Sequence, residues 1–220
     1  MVCLRLTVGT FLVLFGFMLA NEAMAASGGP LDAYTGAPEI GGGTEADCTA
    51  CHSSFPLNSG PGSLSISAPE TYEPGATYEI NVLLTQTGRI RWGFEITTVD
   101  EELIGVGALL PSLDGETQVS LSGTREYLKQ TSSGSADGQL DQKQWTFSWT
   151  APPTDVGSIN FYAAGVAANS TGGSSGDDVY TTSVSVPEPS AFALQAVGIL
   201  TIVAIAKARR RRPPSSIPVN

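Results

Sequence analysis

Two cysteines and one histidine, in the run Cys48-Thr49-Ala50-Cys51-His52, have side chains that could hold a haem group. Two thiols at the C-x-x-C spacing can form thioethers with the two vinyl groups of one haem, and the adjacent imidazole can ligate the iron. The whole sequence contains one histidine and three cysteines, so this run uses nearly all of them. The motif predicts covalent haem c, attached at Cys48 and Cys51, with His52 as the ligand to the haem iron.

The same cysteine pair has a simpler interpretation as a small disulfide loop, which is common in exported proteins, or as an unoccupied dithiol. This interpretation explains the two thiols but gives the histidine no role. A zinc site needs a fourth ligand, and a thioredoxin-like redox site needs a βαβ context that the sequence pattern does not offer. Haem attachment and a bare cysteine pair therefore stay open as the two hypotheses for this element.

A second ligand for the iron is hard to find in the sequence. The three methionines all lie within the first 25 residues, and the motif uses the only histidine. The two common distal ligands therefore cannot come from a chain that has lost those residues. The remaining candidates are water, a lysine such as Lys129 or Lys143, the new α-amino group, or a ligand from a partner.

Residues 1–25 have the pattern of a secretory signal peptide. Arg5 provides the positive charge, residues 10–20 are almost wholly apolar, and Ala23-Met24-Ala25 places small residues at the cleavage positions. We expect export, which removes Cys3 with the leader. Outside the cytoplasm a disulfide and covalent haem are both chemically permitted, so the compartment does not separate the two hypotheses.

Residues 187–212 combine a Pro-Glu-Pro element, an apolar stretch at 191–206 and a basic cluster. A helix over that stretch would be about 24 Å long, at about 1.5 Å per residue, against a hydrocarbon core of about 30 Å. The basic cluster predicts a cytoplasmic C-terminus, with the preceding residues outside. The arrangement resembles the PEP-CTERM sorting signal of Gram-negative bacteria, which implies recognition by an exosortase, although the tail 213–220 departs from the usual abrupt end. The sorting-signal residues are Val186, Pro187, Glu188, Pro189, Arg209, Arg210, Arg211 and Arg212.

The body of the chain, residues 63–186, alternates apolar and polar residues in the manner of half-buried β-strands. Turn pairs such as Pro74-Gly75 and Asp114-Gly115 separate the runs, which favours an antiparallel β-sandwich. Residues 26–62 are rich in glycine and show neither a helical nor a strand periodicity. We therefore expect the C-x-x-C-H element in a loop-rich segment ahead of the folded body. Strands are predicted from the alternating runs 64–66, 78–84, 92–96 and 145–149 and from the segments 103–110, 118–122, 159–164 and 179–186.

The charges and the missing chemistry exclude several classes of function. Residues 27–186 contain 19 acidic and five basic side chains, which disfavours nucleic acid as a partner. A serine triad lacks a histidine beyond His52, so no hydrolase is indicated and we expect no enzymatic activity. Calcium is a further candidate ligand, at Asp177-Asp178, but no regular spacing of oxygen ligands supports it. Trp92, Trp145 and Trp149 fall on alternating apolar faces, which predicts core positions.

Several segments of the body resemble the bacterial choice-of-anchor V domain, which is similar to the Reeler domain of animal extracellular proteins. The resemblance covers residues 35–186, and it departs at Val166, where family members often carry asparagine. It implies an immunoglobulin-like sandwich displayed at the cell surface, with a C-x-x-C-H element near its start, and it implies little chemistry. The segments that carry it are 35–38, 47–52, 72–75 with Tyr78, 92–95, 149–152, 161–165 with 168–169, and 175–177 with 179–181.

Together these observations predict an all-β protein: an immunoglobulin-like antiparallel β-sandwich at 63–186, preceded by the loop-rich C-x-x-C-H segment, a signal peptide and, at the other end, a transmembrane helix. We expect an exported, non-enzymatic protein anchored by its C-terminal helix and displayed on the surface of a Gram-negative bacterium. The expected partners are an exosortase, the cell envelope or exopolysaccharide matrix, and a redox protein. The alternative is a purely structural or binding module in which Cys48 and Cys51 form a disulfide and no haem is bound.

Overall fold

Alternating apolar residues build nine strands in the computed structural model, which describes residues 26–188. Outside these described residues lie the predicted signal peptide at 1–25, Pro189, the apolar stretch at 191–206, the arginines at 209–212 and the tail. Within 26–188, no helix has the length and apolar character needed to span a membrane. The strands are β1 Ser63–Ser67, β2 Thr77–Thr85, β3 Arg91–Val99, β4 Ala108–Leu110, β5 Thr117–Ser122, β6 Arg125–Gln130, β7 Gln142–Thr150, β8 Ile159–Ala168 and β9 Asp178–Val186.

The strands form two antiparallel sheets that pack face to face, which confirms the predicted all-β sandwich. The smaller sheet has the order β1-β2-β7-β4, and the larger has the order β5-β6-β3-β8-β9. The register is set by the apolar alternation: Ile80 pairs with Phe147 in the small sheet, and Ile96 pairs with Ala163 in the large one. A one-residue slip would turn each of these side chains away from the core.

Aromatic side chains from both sheets fill the space between them, as the sequence predicts for the three tryptophans. Trp92, Trp145 and Trp149 are each 1% exposed or less. The ring of Phe94 stacks on Trp145 with centroids 4.3 Å apart, and Trp149 meets Phe161 edge to face at 5.1 Å. Such pairs add stability beyond the burial of their area. Because β3 supplies Trp92 and Phe94 to this core, its odd-numbered residues face the opposite side of the large sheet.

Two strand predictions differ from the structure. The predicted strand at 103–110 is reduced to Ala108–Leu110, because Leu103 has a left-handed φ of 65° and accommodates a tight turn after β3. Strand β6 was not predicted, since Arg125, Glu126 and Lys129 interrupt its apolar pattern. These charged side chains are tolerated because β6 lies inside the large sheet, where another segment of the chain covers its outer face.

That covering segment is the loop-rich region 26–62. It lies on the outer face of the large sheet rather than ahead of it, and polar contacts hold it there. Arg125 Nη1 and the Tyr127 hydroxyl both reach Glu45 Oε1 at 2.5 Å, and Lys129 Nζ lies 2.6 Å from Asp32 Oδ1. The segment, called the N-terminal cover below, contains one 3-10 helix, at Cys48–Ala50. The two-layer sandwich therefore has a third, irregular layer on one side.

Candidate functional site

The C-x-x-C-H element is a capped turn within the N-terminal cover. Asp47 caps the 3-10 helix, because its Oδ1 accepts a hydrogen bond from the Thr49 backbone N–H at 2.7 Å. The N–H groups of Cys51 and His52 then both donate to the carbonyl of Cys48, at 3.3 and 2.9 Å. The 3-10 helix lies beside strands β8 and β9, and both cysteines and the histidine line the same cavity.

Cys48 is the more deeply placed of the two thiols. It is 7% exposed and packs with Ala164, Val166 and Val179 on the outer face of the large sheet. Burial, and next the carboxyl of Glu95, raise the pKa of the Cys48 thiol well above its usual range. Cys51 is half-buried, and neither thiol forms a disulfide with another described residue. Val166, the position that departs from the resembling family, is thus a direct neighbour of the first cysteine.

His52 is held by a carboxylate from the far end of the body. Its Nδ1 lies 2.7 Å from Oδ2 of Asp177, whose side chain is fully buried. The other oxygen of Asp177 accepts the backbone N–H of Asn169 at 3.0 Å. When the Asp177 carboxylate is ionised it can only accept, so Nδ1 is then the donor, and in a neutral ring Nε2 is the unprotonated nitrogen. The described residues give Nε2 no hydrogen-bond partner, so it is available as a ligand.

A cavity of about 580 Å³ lies where the N-terminal cover meets the large sheet. Its volume falls within the range of about 300–1,000 Å³ that is typical of small-molecule and cofactor sites. Its wall includes both cysteines, His52, part of the β3 and β8 surface, and the first described residues of the chain. The residues that line the cavity include Ala26, Cys51, His52, Trp92 and Val166.

The cavity provides a test of whether these residues suit a haem. Both thiols and the imidazole line one space, the wall is partly apolar, and the histidine has a carboxylate partner that leaves one ring nitrogen free. A ligating histidine usually donates its other N–H to a carboxylate or carbonyl, which fixes the ring and raises its basicity. The residues present therefore fit covalent haem c, with Cys48 and Cys51 as attachment sites and His52 as the iron ligand.

The two lysines considered as second ligands point to other partners. Lys129 Nζ donates to Asp32 at 2.6 Å and to the carbonyl of Pro30 at 2.8 Å. Lys143 Nζ donates to Glu116 at 2.6 Å. Neither lysine lines the cavity.

The candidate calcium residues are also engaged by protein groups. Asp177 serves His52, and Asp178 forms an ion pair with Arg89 and accepts a hydrogen bond from the Gln86 side chain at 2.6 Å. Among residues 26–188, no group of three or more histidine, cysteine, aspartate or glutamate side chains is arranged to hold a metal ion. The structure thus gives Asp177 a role at the histidine that its sequence context did not suggest.

Glu95 is a buried acid near the site that the sequence analysis missed. It is fully buried on the outer face of β3, next to Lys129, and desolvation raises its pKa to about 8. Its Oε2 accepts the Tyr34 N–H at 2.7 Å, its Oε1 has no hydrogen-bond partner, and Lys129 Nζ lies 3.7 Å away. The alternation around Trp92 and Phe94 assigns Glu95 to the outer face. Only the placement of the N-terminal cover reveals that this face is buried.

The residues predicted to form the sorting signal begin at the end of the described chain. Val186 is the last residue of β9, is fully buried and pairs with Ile159, and Pro187 and Glu188 follow as exposed residues. Pro189, Arg209, Arg210, Arg211 and Arg212 lie outside the described residues. Val186 lies at the opposite end of β9 from Val179, which packs with Cys48.

Comparison with known proteins gives distant structural likenesses. No family model matches the chain, and no curated protein matches it. A complex of a CaDoc0917 variant with CaCohA2 aligns with a TM-score of 0.37 and 12% identity, over 55% of this chain and 99% of that one. A non-cellulosomal cohesin from Archaeoglobus fulgidus aligns at 0.34 and 8%, over 55% and 89%. The N-terminal domain of the Streptococcus gordonii adhesin Sgo0707 aligns at 0.33 and 9%, over 58% and 32%. The assignment of the fold rests on the two sheets described above.

Proposed function

We propose that this chain is an exported, surface-anchored, non-enzymatic β-sandwich protein that carries covalent haem c and acts in electron transfer or within an extracellular matrix. The observation that carries the proposal is the hydrogen bond from His52 Nδ1 to buried Asp177, beside a cavity that both cysteines line. A disulfide loop does not need an oriented imidazole, whereas a haem ligand does.

Each part of the site has a separate role in this proposal. Cys48 and Cys51 hold the group, His52 ligates the iron through Nε2, and Asp177 fixes the ring in the required tautomer. The apolar wall formed with Val166 limits access of water on the Cys48 side. When bound, haem supplies an iron that can pass one electron or take a small ligand.

The cell-surface part of the proposal is supported by the sequence patterns. The leader at 1–25, the segment 187–212 and the resemblances to the PEP-CTERM signal and the choice-of-anchor V domain are consistent with one route: export, retention by the C-terminal helix, and processing by an exosortase. The proposed location is the cell surface of a Gram-negative bacterium, and the proposed partners are the envelope or its polysaccharide matrix and a redox protein.

A second candidate function is a binding module without haem, in which Cys48 and Cys51 form a disulfide. The packing of Cys48 against Ala164, Val166 and Val179 favours it, because a buried cysteine can serve packing alone. In this case the sandwich and its N-terminal cover would be a scaffold for adhesion, and His52 would serve only to join the cover to Asp177.

Expression of the full chain in a Gram-negative host with a c-type maturation system separates the two candidates. We expect a pyridine haemochrome spectrum of covalent haem c and an intact mass increased by one haem. Cys48→Ala and Cys51→Ala single variants should keep one thioether and shift the haemochrome band, and the double variant should lose covalent haem. A colourless protein whose mass shows the loss of two hydrogens would instead establish the disulfide and overturn the haem assignment.

A further inference from the structure

The start of the described chain lies at the same cavity as His52. Ala26 and Ser27 both line it, and Ala26 is the residue that the predicted removal of 1–25 makes the first of the mature protein. Resting on the proposed function, we infer that the α-amino group of Ala26 is the distal ligand of the haem iron. Removal of the signal peptide would then complete the iron site as well as separate the mature chain from its leader.

Polar contacts hold the new chain terminus beside the large sheet. The Gly29 N–H donates to the carbonyl of Ala26 at 3.2 Å, and the Gln118 side chain donates to the carbonyl of Gly28. Gly29 has a φ of 101°, and a Cβ there would lie 2.8 Å from the carbonyl oxygen of Gln130. Such a position requires glycine. The first residues are therefore held at the cavity and are not a free tail.

The other candidate ligands within residues 26–188 have other partners. Residues 26–220 contain no methionine and only the histidine of the motif, and the ammonium groups of Lys129 and Lys143 donate to carboxylates that do not line the cavity. Among the cavity-lining side chains, Tyr34 is of a type that can ligate haem iron. An unprotonated primary amine is a neutral nitrogen donor, as the imidazole of His52 is, and the test below distinguishes the amine from the Tyr34 hydroxyl.

The test moves the amino group while keeping the site. Two serines inserted between residues 25 and 26 leave the predicted cleavage sequence intact and displace the terminal amine. The matched control has two serines inserted between Gly41 and Gly42, where the chain is exposed and an added Cβ would meet nothing within 4 Å. Tyr34→Phe removes the competing oxygen. Each protein is made with its leader in the maturation host, its N-terminus is determined by mass spectrometry, and its ferric haem is examined by absorption and electron paramagnetic resonance spectroscopy.

We expect six-coordinate low-spin haem in the wild type, in the Gly41 insertion and in Tyr34→Phe, and loss of the low-spin signal in the terminal insertion. The inference is overturned if the wild type is high-spin, if the terminal insertion stays low-spin, if Tyr34→Phe alone loses the signal, or if the mature chain does not begin at Ala26. A wild-type protein without covalent haem in the pyridine spectrum overturns the proposed function as well. These failures are distinguishable because the haemochrome is measured first.

Discussion

Substitution of Glu95 by glutamine should change how the stability of the protein depends on pH. Glu95 is fully buried under the N-terminal cover, and its carboxyl has one hydrogen bond, from the Tyr34 N–H. Desolvation is the largest influence and raises its pKa from the usual 4.5 to about 8, although the Tyr34 hydrogen bond and Lys129 act in the opposite direction. The folded protein therefore holds a proton on Glu95 at pH values where the unfolded chain has lost it.

The sign and the size of the effect follow from this difference. A raised pKa in the folded state stabilises the protein fully below about pH 4.5, and this contribution is lost as the pH rises towards and through about 8. At about 1.4 kcal/mol for each pH unit, the gap between the two pKa values corresponds to about 5 kcal/mol. Other groups contribute their own slopes, so the informative quantity is the difference between wild type and Glu95→Gln.

Urea unfolding of both proteins at several pH values between about 5 and 8.5 measures that difference. We expect the wild type to lose several kcal/mol more than Glu95→Gln across this range, because the amide keeps the shape of the protonated acid and does not ionise. Glu70→Gln, at an exposed position, is the matched control and should follow the wild type. Parallel profiles for wild type and Glu95→Gln would refute the assignment of a buried, protonated acid beneath the cover.

Two further substitutions test the proposed haem site and the packing of the body. In the proposed haem protein, Asp177→Asn should raise the reduction potential, because His52 loses its carboxylate partner and becomes a weaker donor to ferric iron. A tenfold change in the preference for one oxidation state corresponds to about 59 mV for a one-electron couple. An unchanged potential in a spectroelectrochemical titration would contradict the role of Asp177. Gly134→Ala should lower the free energy of unfolding by about 3 kcal/mol, because the new Cβ would lie 1.9 Å from the carbonyl oxygen of Glu116. The control is Gly173→Ala, whose Cβ would meet nothing within 4 Å. In the same urea experiment, the control should stay close to wild type.

The period-two pattern was sufficient to predict most of the sandwich. Strands β2, β3 and β7 carry alternating large apolar residues at 78–84, 92–96 and 145–149, and these residues form much of the core. The pattern did not identify the strand that is buried on both of its faces. Arg125 and Lys129 lie on β6 with apolar Leu128 between them on the core side, so the strand reads as polar although both of its faces are covered.

The candidate residues of the site could be found from the sequence, but their surroundings could not. The spacing of Cys48, Cys51 and His52 identified the candidate ligands, because thioether attachment and iron ligation depend on adjacent positions in the chain. Asp177 lies 125 residues from His52, and a carboxylate that far away leaves no local signal. Glu95 is similar, since its burial depends on the N-terminal cover, in which Tyr34 lies 61 residues before it.

The ion pairs explain why these long-range features occur together. Residues 27–186 have few basic side chains among many acidic ones, and four of the five, all except Arg91, form ion pairs in the structure. Two of the pairs, Arg125 with Glu45 and Lys129 with Asp32, join β6 to the N-terminal cover and are largely buried. Breaking a buried pair is costly, because it leaves an uncompensated charge. Although acidic residues are in excess, a few basic side chains form the ion pairs that hold the N-terminal cover on the sheet. The cover in turn places the cysteines, His52 and Ala26 around one cavity.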